Sequence, residues 1–366
     1  MPAVAYLLTI DSSPASADLL DAILEVEVDA SIDAASSFRL RIAINQTAQD
    51  DWTVLEDDLF RPLVPVGVRV QVGAGVPEAL LNGYVTAQSV AYADRPGEST
   101  LEVSGLDATL LMNLEEKVTA WPNQADSAIA SAIFGQNDVV PDVETTSPVL
   151  SDPDGTTIQR GTDIRFLRQL AARNGFECYV QPDPTTGIDT GHFKPPQLDD
   201  PAEAVVSVNV GQSTNVAGFS VRYEMTRPTT AVATALDVKT KSTQTASSDT
   251  AQQTVLGSQA ALSRLSTAPV VLPVQSGLVE IGDLTTFAQA LVDRSSWSLV
   301  AEGELAAGSP VLRPGGLVNV RGAGSLYDGS YYVTRVLHRI AQSTYTQRFE
   351  ARRNAVEPTG SESYSS

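Results

Sequence analysis

The chain has 366 residues and a formal net charge of −20, from 24 Lys+Arg against 44 Asp+Glu. The length predicts two to three domains, and the acidic balance argues against the basic surface that nucleic-acid-binding proteins need. One cysteine and two histidines exclude an intrachain disulfide and a metal site built from several thiolates or imidazoles. We therefore expect no cofactor, no metal and no specific binding of nucleic acid.

The first apolar segment, Val4–Ile10, is too short to span a bilayer and follows no basic region. We expect no membrane anchor, and we expect the protein to be synthesised in a cytoplasm.

After Val4–Ile10, alternation of apolar and polar residues recurs along the whole chain, which predicts antiparallel sheets with one buried face and one solvated face. The alternating segments are 24–29, 37–44, 66–73, 219–224 and 345–352.

Apolar residues recur three or four apart in only a few places, which predicts a small number of helices. In the strongest case, Ile164, Leu167 and Leu170 form an apolar stripe, Thr162 is placed to cap the start, and Gly175 is placed to end the helix in the left-handed conformation. The predicted helices are 126–134, 162–174 and 283–296.

Two similar stretches lie near the two ends of the chain. Residues 65–86 contain Gly-Ala-Gly, Asn-Gly and Tyr-Val-Thr in that order, and residues 314–334 contain Gly-Ala-Gly, Asp-Gly and Tyr-Val-Thr. Asn-Gly and Asp-Gly are strong hairpin signals because both residues tolerate positive φ. The repeat predicts two related β domains, with generic hairpin sequence as the alternative.

No phosphate-binding loop, nucleophile elbow or zinc-protease motif is present. Pairs of neighbouring carboxylates, which a glycoside hydrolase needs, are more simply explained as solvated surface in so acidic a chain. The candidate pairs are Asp57-Asp58, Glu115-Glu116 and Asp199-Asp200. Cys178 is predicted to be a buried small apolar residue, His338 a packed or interface histidine and His192 an exposed one. We therefore predict no catalytic, cofactor-binding or metal-binding residue.

A family resemblance rests on two stretches. Residues 162–180 resemble the D-x-x-F-L-x-x-L-A-x-x-N-G-[FY]-x-x-Y-V helix–strand unit of contractile-tail hub proteins. Residues 312–354 resemble the closing pattern of that family, with Pro314-Gly315, Asp328-Gly329, Tyr332-Val333 and Arg353-Asn354. The family includes the late-control D proteins of phages and the hub part of type VI secretion spikes.

The resemblance implies a mainly β fold with an α+β insertion, in which two tail-tube-like antiparallel β-barrel domains accompany a small helix-containing domain. We expect a first tube-like domain over 1–115, an α+β insertion over 116–200, a second tube-like domain over 201–354 and a disordered tail over 355–366. The second domain would carry an inserted Ser/Thr-rich loop at 239–260, and the proline-rich stretch 181–201 is expected to be irregular.

The resemblance also implies a function: a non-enzymatic baseplate hub of a contractile phage tail or injection particle. Three chains would form a ring of six similar domains that joins a hexameric tail tube, or a tube initiator, to a trimeric spike. The spike is expected to be a separate protein, because the chain stops soon after Asn354, and other baseplate proteins are further partners. Such a particle would be assembled in the host cytoplasm.

The acidity has two interpretations. Carboxylates that face the channel would repel passing nucleic acid, or the charge serves solubility or a salty habitat. Two other functional classes remain open from the sequence. One is a β-rich polysaccharide hydrolase that uses a carboxylate pair, and the other is a monomeric adhesin-like binding module.

Overall fold

The computed structural model describes residues 4–48, 51–55, 58–95, 97–146, 156–237, 240–264, 270–276, 281–305, 308–341 and 344–364. Strands hold 47% of the residues and helices 17%. The prediction of a mainly β protein with large antiparallel sheets is confirmed.

The N-terminal part of the chain forms one sheet unit with a buried and a polar face. Its strands are β1 Val4–Ile10, β2 Ser13–Pro14, β3 Ile23–Ser31, β4 Ser37–Ala43, β5 Pro65–Val72, β6 Glu78–Ala91 and β7 Thr100–Asp107, and a short helix, α1, spans Ala17–Ala22. The long strands lie in the order β1-β5-β6-β7-β4-β3, with every neighbouring pair antiparallel. The alternating apolar residues, such as Val26, Leu40 and Val103, form its core.

The middle of the chain forms a smaller α+β unit. Its strands are β8 Lys117–Pro122, β9 Val140–Val143, β10 Thr156–Gly161, β11 Glu177–Pro182 and β12 Asp189–Lys194, and its helices are α2 Asp126–Gln136 and α3 Asp163–Asn174. Strand β12 lies within the stretch that was expected to be irregular and pairs with β11 and β9. The unit has its own core, in which Phe134, Leu167 and Phe193 are fully buried.

The remaining strands are β13 Ala204–Ser207, β14 Val216–Tyr223, β15 Thr230–Asp237, β16 Ser242–Ser248, β17 Gln259–Ala260, β18 Val271–Gln275, β19 Leu299–Leu305, β20 Leu317–Arg321, β21 Gly329–Ala341, β22 Thr344–Arg353 and β23 Ala355–Val356, with helix α4 at Ile281–Ser296. Six of them form a second sheet unit in the order β13-β20-β21-β22-β19-β14. Strands β15, β16 and β18 form a separate small sheet that packs on α4.

The two sheet units repeat one arrangement. The order β5-β6-β7-β4-β3 corresponds to β20-β21-β22-β19-β14, strand by strand. Each unit also has a register shift at the Thr of its Tyr-Val-Thr motif, at Thr86 in β6 and at Thr334 in β21. The Thr86 hydroxyl donates to the Ser104 carbonyl at 3.2 Å, and the Thr334 hydroxyl donates to the equivalent Glu350 carbonyl at 3.3 Å. This shared bulge and hydrogen bond make the sequence repeat a structural one.

The predicted turn at Asn82-Gly83 is wrong, because both residues lie inside β6. The turn between β5 and β6 is at Gly73 instead, where φ is 62°. Glycine is needed at position 83 for a different reason. A Cβ there would lie 2.9 Å from the Leu106 carbonyl oxygen and 3.0 Å from the Phe38 ring, so the residue allows a close approach across the sheet.

The helices start and end close to their predicted bounds. Helix α3 follows Thr162, which has extended backbone angles, and ends at Gly175, which adopts the left-handed conformation with φ 72°. The Thr162 side chain does not cap the helix as expected; its hydroxyl donates to Asn113 at 2.8 Å. Helix α4 begins two residues earlier than predicted and α2 ends two residues later.

Two segments that were expected to lack regular structure contain strands. Within 239–260, Ser242–Ser248 forms β16, because its backbone pairs with β15 and Ala246 packs into the small core under α4. Within 355–366, Ala355 and Val356 are fully buried and pair with β17. Farther along this tail, the Ser363 carbonyl accepts a hydrogen bond from Asn319 at 2.9 Å.

Candidate functional site

The two sheet units are joined directly by backbone pairing. Strand β3 of the first unit pairs antiparallel with the C-terminal half of β21 of the second, with Val28 opposite His338. One continuous sheet of 13 strands therefore runs through both units in the described part of the chain.

Each unit leaves open the strand edge whose equivalent in the other unit takes part in this pairing. The residues of β6 that correspond to the paired half of β21 have β7 on one side and, among the described residues, no strand on the other. Strand β14, which corresponds to β3, pairs with β19 on one side only. The open edge of β6 thus corresponds to the paired half of β21, and the open edge of β14 corresponds to β3. Together they are the two strands of a second β3–β21 pairing, and they belong to different sheet units of one molecule. We call the β3–β21 pairing the joint.

The residue register of the β3–β21 joint predicts which residues of the two open edges would lie opposite each other, because the strands of the two units are equivalent. Through their partners in β7 and β22, Val90 of β6 corresponds to His338. Through their partners in β4 and β19, Val221 of β14 corresponds to Val28. Because His338 lies opposite Val28, the same joint between two molecules would place Val90 opposite Val221.

Residues of the open edges are more exposed than the equivalent residues of the β3–β21 joint. His338 is 2% exposed and Val28 is 1% exposed in the joined strands, whereas Val90 and Val221 are only partly buried. Tyr92, just beyond β6, is 63% exposed. Unpaired strand edges with apolar side chains are strong templates for pairing with another chain.

The polar face of the continuous sheet is balanced in charge. On β7, β4, β3, β21, β22, β19 and β14 it carries the acids Glu25, Glu27, Asp29, Glu102, Glu302, Glu304 and Glu350, and the arginines Arg39, Arg41, Arg222, Arg335, Arg339, Arg348 and Arg352. Many of them pair across strands, including Arg339 with Glu25 and Arg335 with Asp29 over the joint. The excess negative charge of the chain therefore lies elsewhere.

The candidate carboxylate pairs lie at the surface where the structure describes them. Glu115, Glu116, Asp199 and Asp200 are all exposed, as the interpretation of solvated surface predicts. Asp58 has φ 48° in a loop, and Asp57 lies outside the described residues.

The cysteine and one histidine behave as predicted and the other histidine does not. Cys178 is buried, and burial raises the pKa of its thiol to about 12, so the thiol is protonated at neutral pH. His338 is buried beside the Tyr345 hydroxyl at 2.8 Å. His192 is not exposed as predicted: its Nδ1 lies 2.8 Å from Asp142, and its ring lies over Tyr179 at 4.6 Å.

The described residues contain no cluster of His, Cys, Asp or Glu able to hold a metal ion. Within the same residues no helix is long and apolar enough to cross a membrane.

A family model described as the Alg8 N-terminal domain matches residues 4–342. The chain belongs to the Alg8 N-terminal domain family. No curated protein matches this family member in sequence.

Solved structures of phage tail and secretion-system proteins share the fold of this Alg8 N-terminal domain family member. A tail protein from Neisseria meningitidis MC58 has a TM-score of 0.68 at 12% identity, over 96% of this chain and 97% of that one. The 43 kDa tail protein of prophage MuSo2 from Shewanella oneidensis has a TM-score of 0.63 at 15% identity, over 97% and 100%.

A third similar structure comes from a secretion system. The E. coli c3393 protein, described as a component of the type VI secretion system with structural similarity to the T4 bacteriophage tail proteins gp27 and gp5, has a TM-score of 0.57 at 13% identity, over 96% and 79%. The fold of this Alg8 N-terminal domain family member is therefore the one found in tail and type VI proteins.

The residues of the helix–strand motif hold the middle unit together. The Asp163 carboxylate accepts hydrogen bonds from Lys117 and Gln159, each at 2.7 Å. The Asp126 carboxylate accepts from Asn174 at 2.6 Å and pairs with Arg173. The motif thus fixes α3 against its neighbours, a structural role that spacing alone does not reveal.

Glu177, at the start of β11, is a partly buried acid that sequence reasoning did not single out. It accepts a hydrogen bond from the Tyr332 hydroxyl at 2.5 Å. Burial raises its pKa to about 7, and the Tyr332 hydrogen bond only partly opposes this shift. Tyr332 belongs to the second sheet unit, so this contact joins that unit to the α+β unit.

We predict that Glu177 makes the protein less stable as pH rises from about 5 to 8. An acid whose pKa is raised by folding stabilises the protein below its unfolded pKa and loses that contribution as pH passes through the folded pKa. Glu177→Gln should therefore match the unmodified protein in urea midpoint at pH 5 and exceed it at pH 8. The exposed Glu116→Gln is the control, and equal midpoints for Glu177→Gln and the unmodified protein at both pH values would contradict the prediction.

Proposed function

We propose that the chain is a structural, non-enzymatic baseplate hub of a contractile phage tail or phage-tail-like injection system. Three copies form a ring with six sheet units, and the ring joins a hexameric tail tube or tube initiator to a separate trimeric spike. The particle, with its other baseplate proteins, is assembled in the host cytoplasm.

One observation carries this proposal: the repeated sheet unit is joined to its own copy by β3 and β21 and leaves the same joint open at both ends. Repeating that joint between molecules places six equivalent units in a circle when three chains close, and closure leaves neither the β6 edge nor the β14 edge unpaired. The shared fold of tail and type VI secretion proteins supports the same function.

In such a ring the two faces of the sheet have different surroundings. The apolar face is covered by the cores of each unit, so the polar face turns toward the channel. Its seven carboxylates and seven guanidinium groups give it no net charge on the seven strands β3, β4, β7, β14, β19, β21 and β22. In this arrangement the excess carboxylates of the chain lie outside the channel. The channel surface then has no net negative charge with which to repel nucleic acid.

A disulfide across the open edges tests the register. Opposed residues of antiparallel strands have Cα atoms about 4.5–5.5 Å apart, within the range that a disulfide spans. In a Cys178→Ala background, Val90→Cys with Val221→Cys should oxidise to covalent dimers and closed trimers. Val90→Cys with Met225→Cys, four residues out of register on an exposed position, should stay monomeric on a denaturing gel.

The proposal fails in this form if the in-register pair does not cross-link under conditions in which the protein is assembled. Equal cross-linking of both pairs would show an unspecific contact and would also contradict it.

A further inference from the structure

A cavity of about 420 Å³ lies where the three parts of the chain meet, away from the open edges. Its walls come from α3, the C-terminal end of α4, the start of β11 and the turn after β3. Arg168, Arg294, Arg352, Gln253 and Trp297 are among the residues that line it. Cavities of this volume hold small molecules in other proteins.

Two guanidinium groups of the cavity form no ion pair within the described part of the chain. Arg168 Nε and Nη2 are buried and make no hydrogen bond. No ion pair or side-chain hydrogen bond is found for Arg294 within the described ranges. Buried charged donors are nearly always paired, because an uncompensated buried charge is strongly destabilising. The unpaired buried nitrogens of Arg168 therefore indicate a missing anion, and the exposed Arg294 lines the same cavity.

The acids in the cavity do not supply that anion. The Asp33 carboxylate pairs with Arg352 at 2.5 Å. Glu177 accepts the Tyr332 hydroxyl, and burial raises its pKa so that it stays largely protonated up to about neutral pH. Arg168 and Arg294 remain available to a ligand.

The cavity also contains an acceptor that lacks a donor. Gln253 Oε1 is buried without a hydrogen-bond partner. A fitting ligand therefore combines anionic oxygens for the arginines with a hydroxyl for Gln253. A hydrogen phosphate group has both, and the guanidinium fork suits its oxygens, whereas sulfate has no hydroxyl to donate.

We infer that this cavity binds a phosphate group, held by Arg168 and Arg294 and donating its hydroxyl to Gln253. Free phosphate keeps this hydroxyl at neutral pH, and a small phosphomonoester carries it only as the monoanion, below about pH 6. The space beyond the arginines admits the organic part of the second. The site lies within one chain, so it does not depend on assembly of the ring.

Thermal unfolding of the full chain at constant ionic strength tests the inference. Inorganic phosphate should raise the melting temperature at millimolar concentration, and equimolar sulfate should have a clearly smaller effect. Glycerol 3-phosphate distinguishes the two possible ligands. If it raises the melting temperature more than inorganic phosphate does, the ligand is a phosphomonoester. If it does not raise the melting temperature, the ligand is free phosphate.

The variants separate a binding site from a structural contact. Arg168→Met should raise the melting temperature of the phosphate-free protein, because it removes an unpaired buried charge, and it should abolish the rise with phosphate. Arg294→Gln should weaken phosphate binding by about tenfold or more. Arg165→Gln is the matched control, since Arg165 lies on the same helix, is exposed and faces Glu116.

Three results would overturn the inference. The first is no rise with either phosphate compound. The second is an equal rise in Arg165→Gln, Arg168→Met and the unmodified protein, which would identify an adventitious ion only. The third is a phosphate-free Arg168→Met protein that is less stable than the unmodified one, which would show that Arg168 already has a partner.

Discussion

Val90→Asp is expected to convert a ring of about three times 38.7 kDa into folded monomers of 38.7 kDa. In the paired edges the aspartate would lie opposite Val221 of another copy, away from water and without a cation. Such a charge costs several kcal/mol at each contact, and a closed trimer has three identical contacts. Because Val90 is only partly buried in the single chain, the monomer should keep its fold.

Static light scattering measures this effect, and circular dichroism checks the fold of the variant. Val118→Asp is the matched control, because Val118 is 83% exposed on β8 of the α+β unit and takes no part in the open edges. This control should assemble like the unmodified protein. Rings of normal mass from Val90→Asp would exclude β6 from the contact between copies.

Arg353→Met is expected to destabilise the folded chain severely, by about 3–5 kcal/mol. Arg353 is 0% exposed. Its guanidinium donates to the carbonyls of Leu256, Asp328 and Glu357 at 2.8, 2.8 and 2.9 Å. It also lies 5.2 Å from the centre of the Tyr331 ring.

The cost is large because one side chain satisfies three carbonyls from separate segments. Methionine keeps much of the volume and removes every donor, so the carbonyl oxygens lose their partners. Urea unfolding gives the free energy of unfolding directly. Arg348→Met on the same strand is the control, because Arg348 is 63% exposed beside Glu302 and should cost under about 1 kcal/mol. Similar losses for both variants would contradict this role of Arg353.

Much of the fold follows from local patterns in the sequence. Period-two alternation predicts β3, β4, β5 and β22 because each strand covers one core with one face. Helix α3 is predictable from its stripe and from Gly175. The repeat is also visible in sequence, because the Tyr-Val-Thr motif marks a bulge that both sheet units need.

Other features depend on strand order, which local patterns do not contain. Asn82-Gly83 has the sequence of a turn, yet Gly83 lies in a strand that pairs with β5 and β7, where the Phe38 ring leaves no room for a larger side chain. Likewise, β16 has few large apolar residues and is ordered by β15 and α4. The open edges become recognisable only once β6 and β14 are seen to occupy equivalent places in the two units.

The cavity and the environment of His192 also depend on packing that local sequence patterns do not contain. The cavity lined by Arg168 and Arg294 is not predictable from the sequence, because the two residues are distant in the chain. They line one cavity only because α3 packs on α4. The glycine and prolines near His192 favour an exposed side chain, and the structure differs. The pairing of His192 with Asp142 depends on the parallel contact of β12 with β9.

The central claim is that three chains close into a ring through the edges of their repeated sheet. Mass photometry of the unmodified protein over a range of concentrations, with electron microscopy of the same sample, tests it most directly. We expect a species of three times 38.7 kDa that appears as a three-fold ring with six lobes and an open channel. A single 38.7 kDa species at every concentration, or a closed dimer, would contradict the account.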